Sequence, residues 1–452
     1  MMERMSDPSL AFPERRPRQP LSRRGRAAIL AAPLLAALLA GCAVAPSQAA
    51  PVEVTSPTAT VSVLPDPAVL TAKLRAVSRK GISSVAVAVV TPSGGVLASR
   101  ASRKPLTPAS TMKLMTTMSA LEALGPSTTF ATRVVSAGTG RIVLVGGGDP
   151  LLTNKQSTSR YKPASLQALA KRTAAALKAQ GRTSISLGYD ASLFSGPTFS
   201  PYWKKTWRGY EARVSALEIN SGKLSRYRAD PKPPRTAAKA FASRLKKAGI
   251  TVTSITSTKA ATSATEIAQV TSASLALIVK RTLLISDNVG AETISRHAAL
   301  ANGKPGSFAG AAATVTAWLN VHGLWRTGQQ IQDGSGLSPT NRLTADALAA
   351  AMRLALADST YRAVVAGLPV AAETGTLADR FDDKPERAGR HTVHAKTGTL
   401  RGVAGLAGYL TTRDGAVLVF AELANSSQSV SYERLYNWLD RSAAVTARCG
   451  CH

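Results

Sequence analysis

The chain is 452 residues long, which allows two domains or one large, elaborated domain. Hydrophobic residues make up 44% of it, so we expect a sizeable core and exclude global disorder. The formal net charge of +30 favours polyanionic surroundings such as nucleic acid, an anionic membrane or a cell wall. Because no Cys/His zinc spacing, RNP-type aromatic motif or Lys/Arg block marks a nucleic-acid module, we expect no nucleic-acid partner and favour the cell envelope.

Residues 1–42 are typical of an export signal. An arginine-rich stretch precedes an apolar run over 27–41 that is too short to span a membrane comfortably and is interrupted by proline. The run ends in LLAGC, which resembles a bacterial lipobox in which Cys42 would be lipidated; the alternative is ordinary cleavage near 47–50. Residues 43–65 are rich in Pro, Ser, Thr and Val and are predicted to be a tether. We therefore expect an exported protein at the extracytoplasmic face of a bacterial membrane, lipid-anchored if the lipobox is used.

The first structured stretch begins at residue 66 and is predicted to hold a helix, a hairpin and a second helix. Asp66-Pro67 is typical of a helix start, since a capping side chain is followed by proline in the first turn. Gly125 is a natural end for the second helix. The predicted elements are a helix over 68–80, strands over 85–90 and 96–98, and a helix from 110 to 125.

Residues 129–264 alternate strand and helix patterns without an internal repeat, which predicts an inserted α/β domain. The predicted elements are strands over 130–135, 141–145, 184–187 and 250–255, and helices over 164–180 and 236–248. The glycine-rich stretch 146–150 has no following Gly-Lys-Ser/Thr, so we interpret it as a turn rather than a phosphate loop. The aromatic residues at 202–207 are interpreted as packing rather than as a sugar-stacking surface.

Helices dominate after residue 273, and strands return near the end of the chain. The predicted helices cover 273–285, 290–301, 308–322 and 344–357; strands cover 392–396, 403–412 and 416–425; and a last helix covers 432–445. Two early strands and three late ones predict a single antiparallel sheet built from both ends of the chain. The fold class is therefore α/β (α+β), with a discontinuous domain over 66–128 and 265–446 and a tail over 447–452.

Ser110 and Lys113 are the first chemistry-bearing pair, because residues three apart lie within reach of each other on a helix. A buried lysine is easily made neutral, and a neutral amine beside a hydroxyl can act as its general base. Alone the pair is a weak signal, since Ser-x-x-Lys recurs at 159–162 and 243–246. The other parts of the chain must distinguish the three.

Two further motifs single out the first pair. Ser286-Asp287-Asn288 lies at the junction of two predicted helices, and Lys396-Thr397-Gly398-Thr399 lies at the end of a predicted strand, where Gly398 would let a ligand approach the backbone closely. In this order, and in these settings, the three motifs resemble those of penicillin-binding proteins and class A β-lactamases. The resemblance implies a penicillin-binding transpeptidase/β-lactamase-like domain, with an antiparallel sheet flanked by helices and an all-helical part.

More of the sequence resembles one family within that class. Ser286 follows Ser110 at a much greater distance than a β-lactamase uses, and the surplus is the inserted region. With GGDPLL at 147–152, DGSGLS at 333–338 and GTL at 375–377, residues 60–445 resemble the D-Ala-D-Ala carboxypeptidase/endopeptidases of peptidase family S13, the class C low-molecular-mass penicillin-binding proteins. The chain departs from that pattern at Glu373-Thr374, where relatives often have aspartate before Gly-Thr-Leu.

The residue types in the motifs suggest how each would act. Ser110 Oγ would attack the carbonyl of the penultimate D-alanine of a peptidoglycan stem peptide, and neutral Lys113 would take its proton. Ser286 would relay a proton to the leaving amine. Asn288 would hold the substrate amide or orient Lys113, and Lys396 would add positive charge beside Ser286.

Substrate binding is expected at the end of the Lys-Thr-Gly strand. The hydroxyls of Thr397 and Thr399 suit the terminal carboxylate of D-alanine, and the resemblance places the oxyanion hole at the backbone N–H groups of Ser110 and Thr399. Water would hydrolyse the acyl-enzyme, and β-lactam antibiotics would mimic the substrate and leave a slow ester. The expected partners are stem peptides, β-lactams and an anionic wall or membrane surface.

We expect neither metal nor cofactor, because no metal-ligand spacing appears and the core lacks cysteine. The histidines at 297, 322, 391 and 394 are interpreted as surface or packing residues, since none lies in a nucleophile elbow. Two alternatives stay open beside the serine D,D-carboxypeptidase: a β-lactamase or esterase on the same fold, and a catalytically inert penicillin sensor that binds the cell wall.

Overall fold

A computed structural model describes residues 63–209 and 211–450. The predicted export signal, Cys42 and nearly all of the tether lie outside the described residues. The described chain begins with helix α1 (Pro67–Ala76), which is capped by the Asp66 side chain and ends four residues before its predicted end. Strands β1 (Ser84–Val90) and β2 (Val96–Arg100) then form the predicted hairpin, and helix α2 (Lys113–Leu124) follows.

The inserted region contains the next group of elements. They are β3 (Ala131–Ser136), β4 (Arg141–Val145), α3 (Leu166–Ala179), β5 (Ser184–Asp190), the short pair β6 (Lys223–Ser225) and β7 (Arg228–Ala229), α4 (Pro233–Lys247), β8 (Thr251–Ser257) and β9 (Glu266–Thr271). Five of these strands form one sheet in the order β8-β5-β4-β3-β9, with parallel pairs β4/β5 and β5/β8. Helices α3 and α4 pack on it through a shared apolar core.

Strand β9 corrects the predicted domain boundary. It was expected to lie in the main domain, which was predicted to resume at residue 265, but it pairs antiparallel with β3 of the second sheet. Its short sequence, EIAQVT, carries few large apolar residues, and therefore no strand was predicted there. We propose that the inserted segment ends after Thr271 rather than at 264.

The rest of the chain completes a helical part and the first sheet. The helices are α5 (Leu275–Leu284), α6 (Asn288–Ala301), α7 (Phe308–Val321), α8 (Ala345–Ala357) and the short α9 (Arg362–Val365). They are followed by β10 (Val393–Leu400), β11 (Val403–Thr411), β12 (Val417–Asn425) and α10 (Tyr432–Arg448). Among the described helices, none is long and apolar enough to cross a membrane.

The first sheet has the strand order β10-β11-β12-β1-β2 and is antiparallel throughout, which confirms the prediction of one sheet built from both chain ends. Successive side chains of β1 point to opposite faces of the sheet, and helices pack against both faces. Val85, Val87 and Val89 face a core that includes residues of α1 and α10, while Ala86 and Ala88 face the core shared with α2 and α8. The sheet is therefore buried on both sides, and its edge strand β10 is left to meet the helical part.

The C-terminal tail is shorter than predicted. Helix α10 continues through Arg448, three residues past its predicted end, so the tail does not begin at 447. Cys449, the next residue, is buried and disulfide-bonded. The apolar stripe that includes Leu439, Ala443 and Ala447 extends the helix, because each of these side chains packs into the core beneath the sheet.

Candidate active site

Ser110 lies in a short 3-10 turn, Ala109–Met112, which leads into α2. The sequence predicted it on the first turn of the helix itself. The turn is tightly held: Ala109 has φ +47°, and a Cβ added to Gly336 would lie 1.9 Å from the carbonyl oxygen of Ala109. Only glycine at 336 permits this close approach. Ser110 is partly exposed, while the residues that follow it in the turn are buried.

Lys113, the first residue of α2, is fully buried beside Ser110. Its Nζ lies 2.8 Å from Ser110 Oγ, 2.8 Å from Asn288 Oδ1 and 2.7 Å from the carbonyl oxygen of Ser335. An ammonium group has three donors, and these three acceptors match them. Loss of one proton would leave a lone pair that can accept the hydroxyl hydrogen of Ser110.

The surroundings of Lys113 favour the loss of a proton from its ammonium group near neutral pH. Burial lowers its pKa to about 8, although the nearby carboxylates of Glu292, Asp333, Asp287 and Glu211 oppose the shift. The opposition matters because burial alone would lower the pKa of the amine further. The amine is thus poised between its charged and neutral forms.

Ser286 and Asn288 lie at the junction of α5 and α6, as the sequence predicted. Ser286 has φ +58°, and the side chain of Asp287 caps α6 by accepting a hydrogen bond from Gly290 N at 3.1 Å. Asp287 also forms an ion pair with Arg281 of α5. These contacts fix the sharp turn that brings both side chains to the Ser110 turn.

Lys396 reaches the same place from the edge strand β10. Its Nζ donates to Ser286 Oγ at 2.9 Å and to the carbonyl oxygen of Thr397 at 2.6 Å, and the side chain is fully buried. Burial, and then the charge of Lys113, lower the pKa of Lys396 well below its ordinary value. The five predicted catalytic residues therefore form two hydrogen-bonded groups, Ser110–Lys113–Asn288 and Ser286–Lys396, which meet at the turn that carries Ser286 and Asn288.

The remaining motif residues divide between the two sides of β10. A Cβ added to Gly398 would lie 2.6 Å from the carbonyl oxygen of Pro108, so the absence of a side chain lets the Ser110 turn approach the strand. Thr397 and Thr399 project to the other side: Thr397 Oγ1 lies 2.7 Å from Thr376 Oγ1, and Thr399 Oγ1 lies 2.9 Å from Tyr436 Oη. Their proposed contact with a substrate carboxylate stays a prediction.

Two buried acids near Lys113 were given no role in the sequence analysis, although Asp333 begins the DGSGLS motif. Glu292 of α6 accepts hydrogen bonds from Ser335 N at 2.7 Å and Gly334 N at 3.1 Å, and burial, with Asp333, raises its pKa to about 7. Asp333 accepts from Gly336 N at 2.8 Å and from the indole of Trp203 at 2.7 Å. Together they shape the loop whose carbonyl binds Lys113.

Glu211 was missed altogether. It follows the 3-10 turn Lys205–Gly209 of the inserted region, and both of its carboxylate oxygens lie 3.3 Å from Asn288 Nδ2. Burial raises its pKa. No motif surrounds it, so no local signal could have predicted that the insertion sends a carboxylate into the cluster.

Several other sequence candidates take no part in the hydrogen bonds among the predicted catalytic residues. The serines and lysines of the two competing Ser-x-x-Lys matches are all solvent-exposed. Trp203 and Trp207 are buried in an apolar cluster with Ala109, next to the catalytic turn, and His297 stacks on Phe130 with ring centroids 3.8 Å apart. Among the residues that the structure describes, no group of three or more His, Cys, Asp or Glu could hold a metal ion.

A serine–lysine pair set between a helical part and the edge of an antiparallel sheet, facing Ser-x-Asn and Lys-Thr-Gly motifs, is the arrangement of penicillin-binding serine enzymes. Comparison with known sequences narrows this class. The sequence model of the D-Ala-D-Ala carboxypeptidase 3 (S13) family matches residues 70–232 and 223–444. The chain belongs to this family.

Individual relatives agree with the assignment. The chain is 35% identical to "Carboxypeptidase Rv3627c" of Mycobacterium tuberculosis over 359 residues, which cover 77% of this chain and 76% of that protein. It is 33% identical to "Carboxypeptidase DacB" of Mycolicibacterium smegmatis over 416 residues, 85% and 88% of the two chains. Penicillin-binding protein 4 (dacB) from Haemophilus influenzae matches in structure with a TM-score of 0.69 at 21% identity, over 83% of this chain and 98% of that one, which shows the shared fold.

Proposed function

We propose that this protein is a serine-type D-Ala-D-Ala carboxypeptidase that removes the terminal D-alanine of peptidoglycan stem peptides through a Ser110 acyl-enzyme. The observation that carries the proposal is the 2.8 Å contact between Ser110 Oγ and the Nζ atom of buried Lys113, whose pKa is lowered to about 8. Membership of the S13 family supports the same chemistry.

Acylation begins when neutral Lys113 accepts the hydroxyl proton of Ser110. Ser110 Oγ then bonds to the carbonyl carbon of the penultimate D-alanine, and the N–H groups of Ser110 and Thr399 stabilise the oxyanion. Asn288 Oδ1 holds Lys113 in place during the transfer, since its contact at 2.8 Å leaves the amine little freedom.

Collapse of the intermediate requires a proton for the departing D-alanine amine. Lys396 Nζ donates to Ser286 Oγ, which leaves the hydroxyl hydrogen of Ser286 free to be donated to the amine nitrogen. The proton held by Lys113 then replaces the one that Ser286 gives up. Hydrolysis of the ester runs these steps in the opposite sense, with water in the place of the amine. Ser286 takes a proton from the attacking water and passes one to Lys113, and Lys113 returns a proton to Ser110 Oγ as the ester bond breaks.

Glu211 is a positioning residue in this scheme. Its carboxylate accepts from Asn288 Nδ2 and thereby orients the amide with Oδ1 towards Lys113. Its negative charge also raises the pKa of Lys113. The inserted region thus tunes the base without touching it.

An anionic envelope surface is the second partner that we propose. The chain acts on a wall component, its first 42 residues resemble an export signal with a lipobox at Cys42, and its net charge is +30. These features support a location at the extracytoplasmic face of the membrane, where the substrate lies.

Covalent labelling tests the proposal. A fluorescent penicillin should label the purified protein, and Ser110→Ala should abolish labelling, while Ser159→Ala and Ser243→Ala serve as matched controls that retain it. Labelling that survives Ser110→Ala would exclude Ser110 as the nucleophile. Release of D-alanine from a pentapeptide, compared with cleavage of a crosslinked peptide dimer, separates carboxypeptidase from endopeptidase activity.

A further inference from the structure

The inserted region has a very uneven charge. Residues 129–271 contain 23 Lys and Arg residues and only 6 Asp and Glu residues. Five of these acids are shielded from solvent: Asp149, Asp190, Glu218 and Asp230 are buried, and Glu211 contacts Asn288, whereas Glu266 on β9 is exposed. The solvent-exposed charges of this region are therefore almost all positive.

Much of this positive charge lies on two neighbouring helices. α3 and α4 pack against each other, and their apolar sides, with Leu169 and Leu177 from α3 and Phe241 and Leu245 from α4, enter the core over the second sheet. The opposite sides carry exposed basic residues and no acid. We define the basic face as Lys171, Lys178, Arg235, Lys239, Lys246 and Lys247.

The basic face is continuous across the two helices. Within α4, positions 235, 239 and 246 fall within about 40° of each other around the helix axis, and positions 171 and 178 of α3 are two turns apart. A Cβ added to Gly249, which follows α4, would lie 3.0 Å from Lys178 Nζ, so the two basic helix ends converge. Each helix is roughly 20 Å long, and this sets the length of the face.

The interactions that usually stabilise a helix do not explain why α3 and α4 carry many basic residues and no acid. Basic residues in the last turn, such as Lys178, Lys246 and Lys247, do interact favourably with the helix dipole. The same effect favours acids in the first turn, but neither α3 nor α4 has one there. Nor does either helix contain an acid that could pair with a lysine one turn away. The face thus accumulates repulsion, which an anionic partner would relieve.

We propose that the basic face docks the enzyme onto the anionic phospholipid headgroups of the membrane, an inference that rests on the proposed envelope location. Neither helix exposes a large apolar side chain, so the attraction is electrostatic and involves no insertion. A membrane is favoured over a wall polymer because the lipobox and the short tether over 43–65 would keep the domain within reach of the bilayer. One acyl chain binds only marginally, and a basic surface supplies the second attachment.

Vesicle binding tests the docking surface. The mature chain from residue 43 on, which lacks both the apolar export signal and the lipidation site Cys42, is mixed with vesicles of phosphatidylglycerol and phosphatidylcholine in equal amounts, or of phosphatidylcholine alone, and the bound fraction is measured by sedimentation. The first variant combines four substitutions to glutamine on the basic face, at Lys171, Lys178, Lys239 and Lys246. The control variant removes four exposed charges outside the insertion, at Lys80, Arg362, Lys384 and Arg413.

Both variants lose the same net charge, so only the place of the loss differs. Because each lysine near an anionic surface strengthens binding by about fivefold, we expect the four substitutions of the basic-face variant to lower the partition coefficient on anionic vesicles by about 600-fold. The control variant should lose less than about threefold, and about 0.5 M salt should abolish binding by the parent chain. The chain should not bind phosphatidylcholine alone.

Equal losses by the two variants, or no loss by the first, would overturn the proposal. The proposal would also be overturned if the basic-face lysines bound soluble polyphosphate or purified cell wall while the chain did not bind anionic vesicles. The partner would then be a polymer and not a membrane. Penicillin labelling is measured on every sample. Intact labelling with failed docking refutes only the docking surface, whereas failed labelling of the parent chain refutes the proposed enzyme.

Discussion

Replacing Glu211 by glutamine removes one negative charge near the catalytic base while it keeps an oxygen that can accept from Asn288. The Asn288 amide links the two groups: Lys113 Nζ lies 2.8 Å from its Oδ1, and both oxygens of Glu211 lie 3.3 Å from its Nδ2. The charges of Lys113 and Glu211 are therefore within about 8 Å of each other, and they interact by about 2 kcal/mol at an effective dielectric constant of about 20.

That energy corresponds to roughly 1.5 units in the pKa of Lys113. Glu211 makes the smallest of the four carboxylate contributions to the pKa of Lys113, so we expect that pKa to fall by about one unit in Glu211→Gln. The sign follows from the charge: without Glu211, the ammonium form of Lys113 loses an attraction and gives up its proton at lower pH. Glu292, Asp333 and Asp287 still face Lys113 and hold its pKa up.

The assay is the second-order rate constant of acylation by a fluorescent penicillin, measured from about pH 5 to about pH 10. Neutral Lys113 is the reactive form, so the acidic limb of the profile should move down by about one pH unit in Glu211→Gln. Glu218→Gln is the matched control, because Glu218 is buried in the same region but its charge neighbours are Asp287, Arg296 and Asp149. An acidic limb that stays in place, or moves up, would refute the positioning role of Glu211.

Two further substitutions test buried polar side chains. Burial raises the pKa of Glu422, on β12, from about 4.5 in the unfolded chain to about 8 in the folded protein. The wild-type protein should therefore lose stability as the pH rises from about 4.5 to about 8. Glu422→Gln cannot ionise and should remove about 3–5 kcal/mol of that dependence in urea denaturation; an unchanged slope would show that Glu422 is solvated. Trp203→Phe removes the 2.7 Å hydrogen bond to Asp333 and should cost about 2–3 kcal/mol in the same assay, whereas a loss below about 0.5 kcal/mol would show that the bond contributes little.

The first sheet and its helices could be predicted from local patterns because their side chains repeat with the period of the element. Val85, Val87 and Val89 form a β-branched series on one face of β1, and such a series signals a strand wherever it lies in the chain. Strand β9 lacks that signal: it lies at the edge of its sheet, and of its six residues only Val270 is buried. Its place is set by pairing with β3, a tertiary contact that no local window contains.

The difference between local sequence patterns and tertiary contacts also decides which parts of the active site could be predicted. Ser110, Ser286 and Lys396 belong to short motifs whose spacing carries the chemistry, so their convergence could be anticipated. Asn425, the last residue of a predicted strand, pairs through its side chain with both backbone groups of Thr107, accepting from N at 2.8 Å and donating to O at 3.1 Å. That contact joins residues more than 300 positions apart, just before the catalytic turn, and only the assembled sheet brings them together.

Two lysines, Lys113 and Lys396, are buried in this site, and burial lowers the pKa of both. They can take different roles in catalysis only if another influence makes their pKa values differ. The pKa of Lys396 is lowered further by the charge of Lys113. Acids face Lys113 from α6, from the loop at 333–338 and from the inserted region, and they return its pKa to about 8. The two amines can therefore differ in protonation at the same pH. Lys113 can then exchange a proton during turnover, while Lys396 donates hydrogen bonds from a fixed position to Ser286.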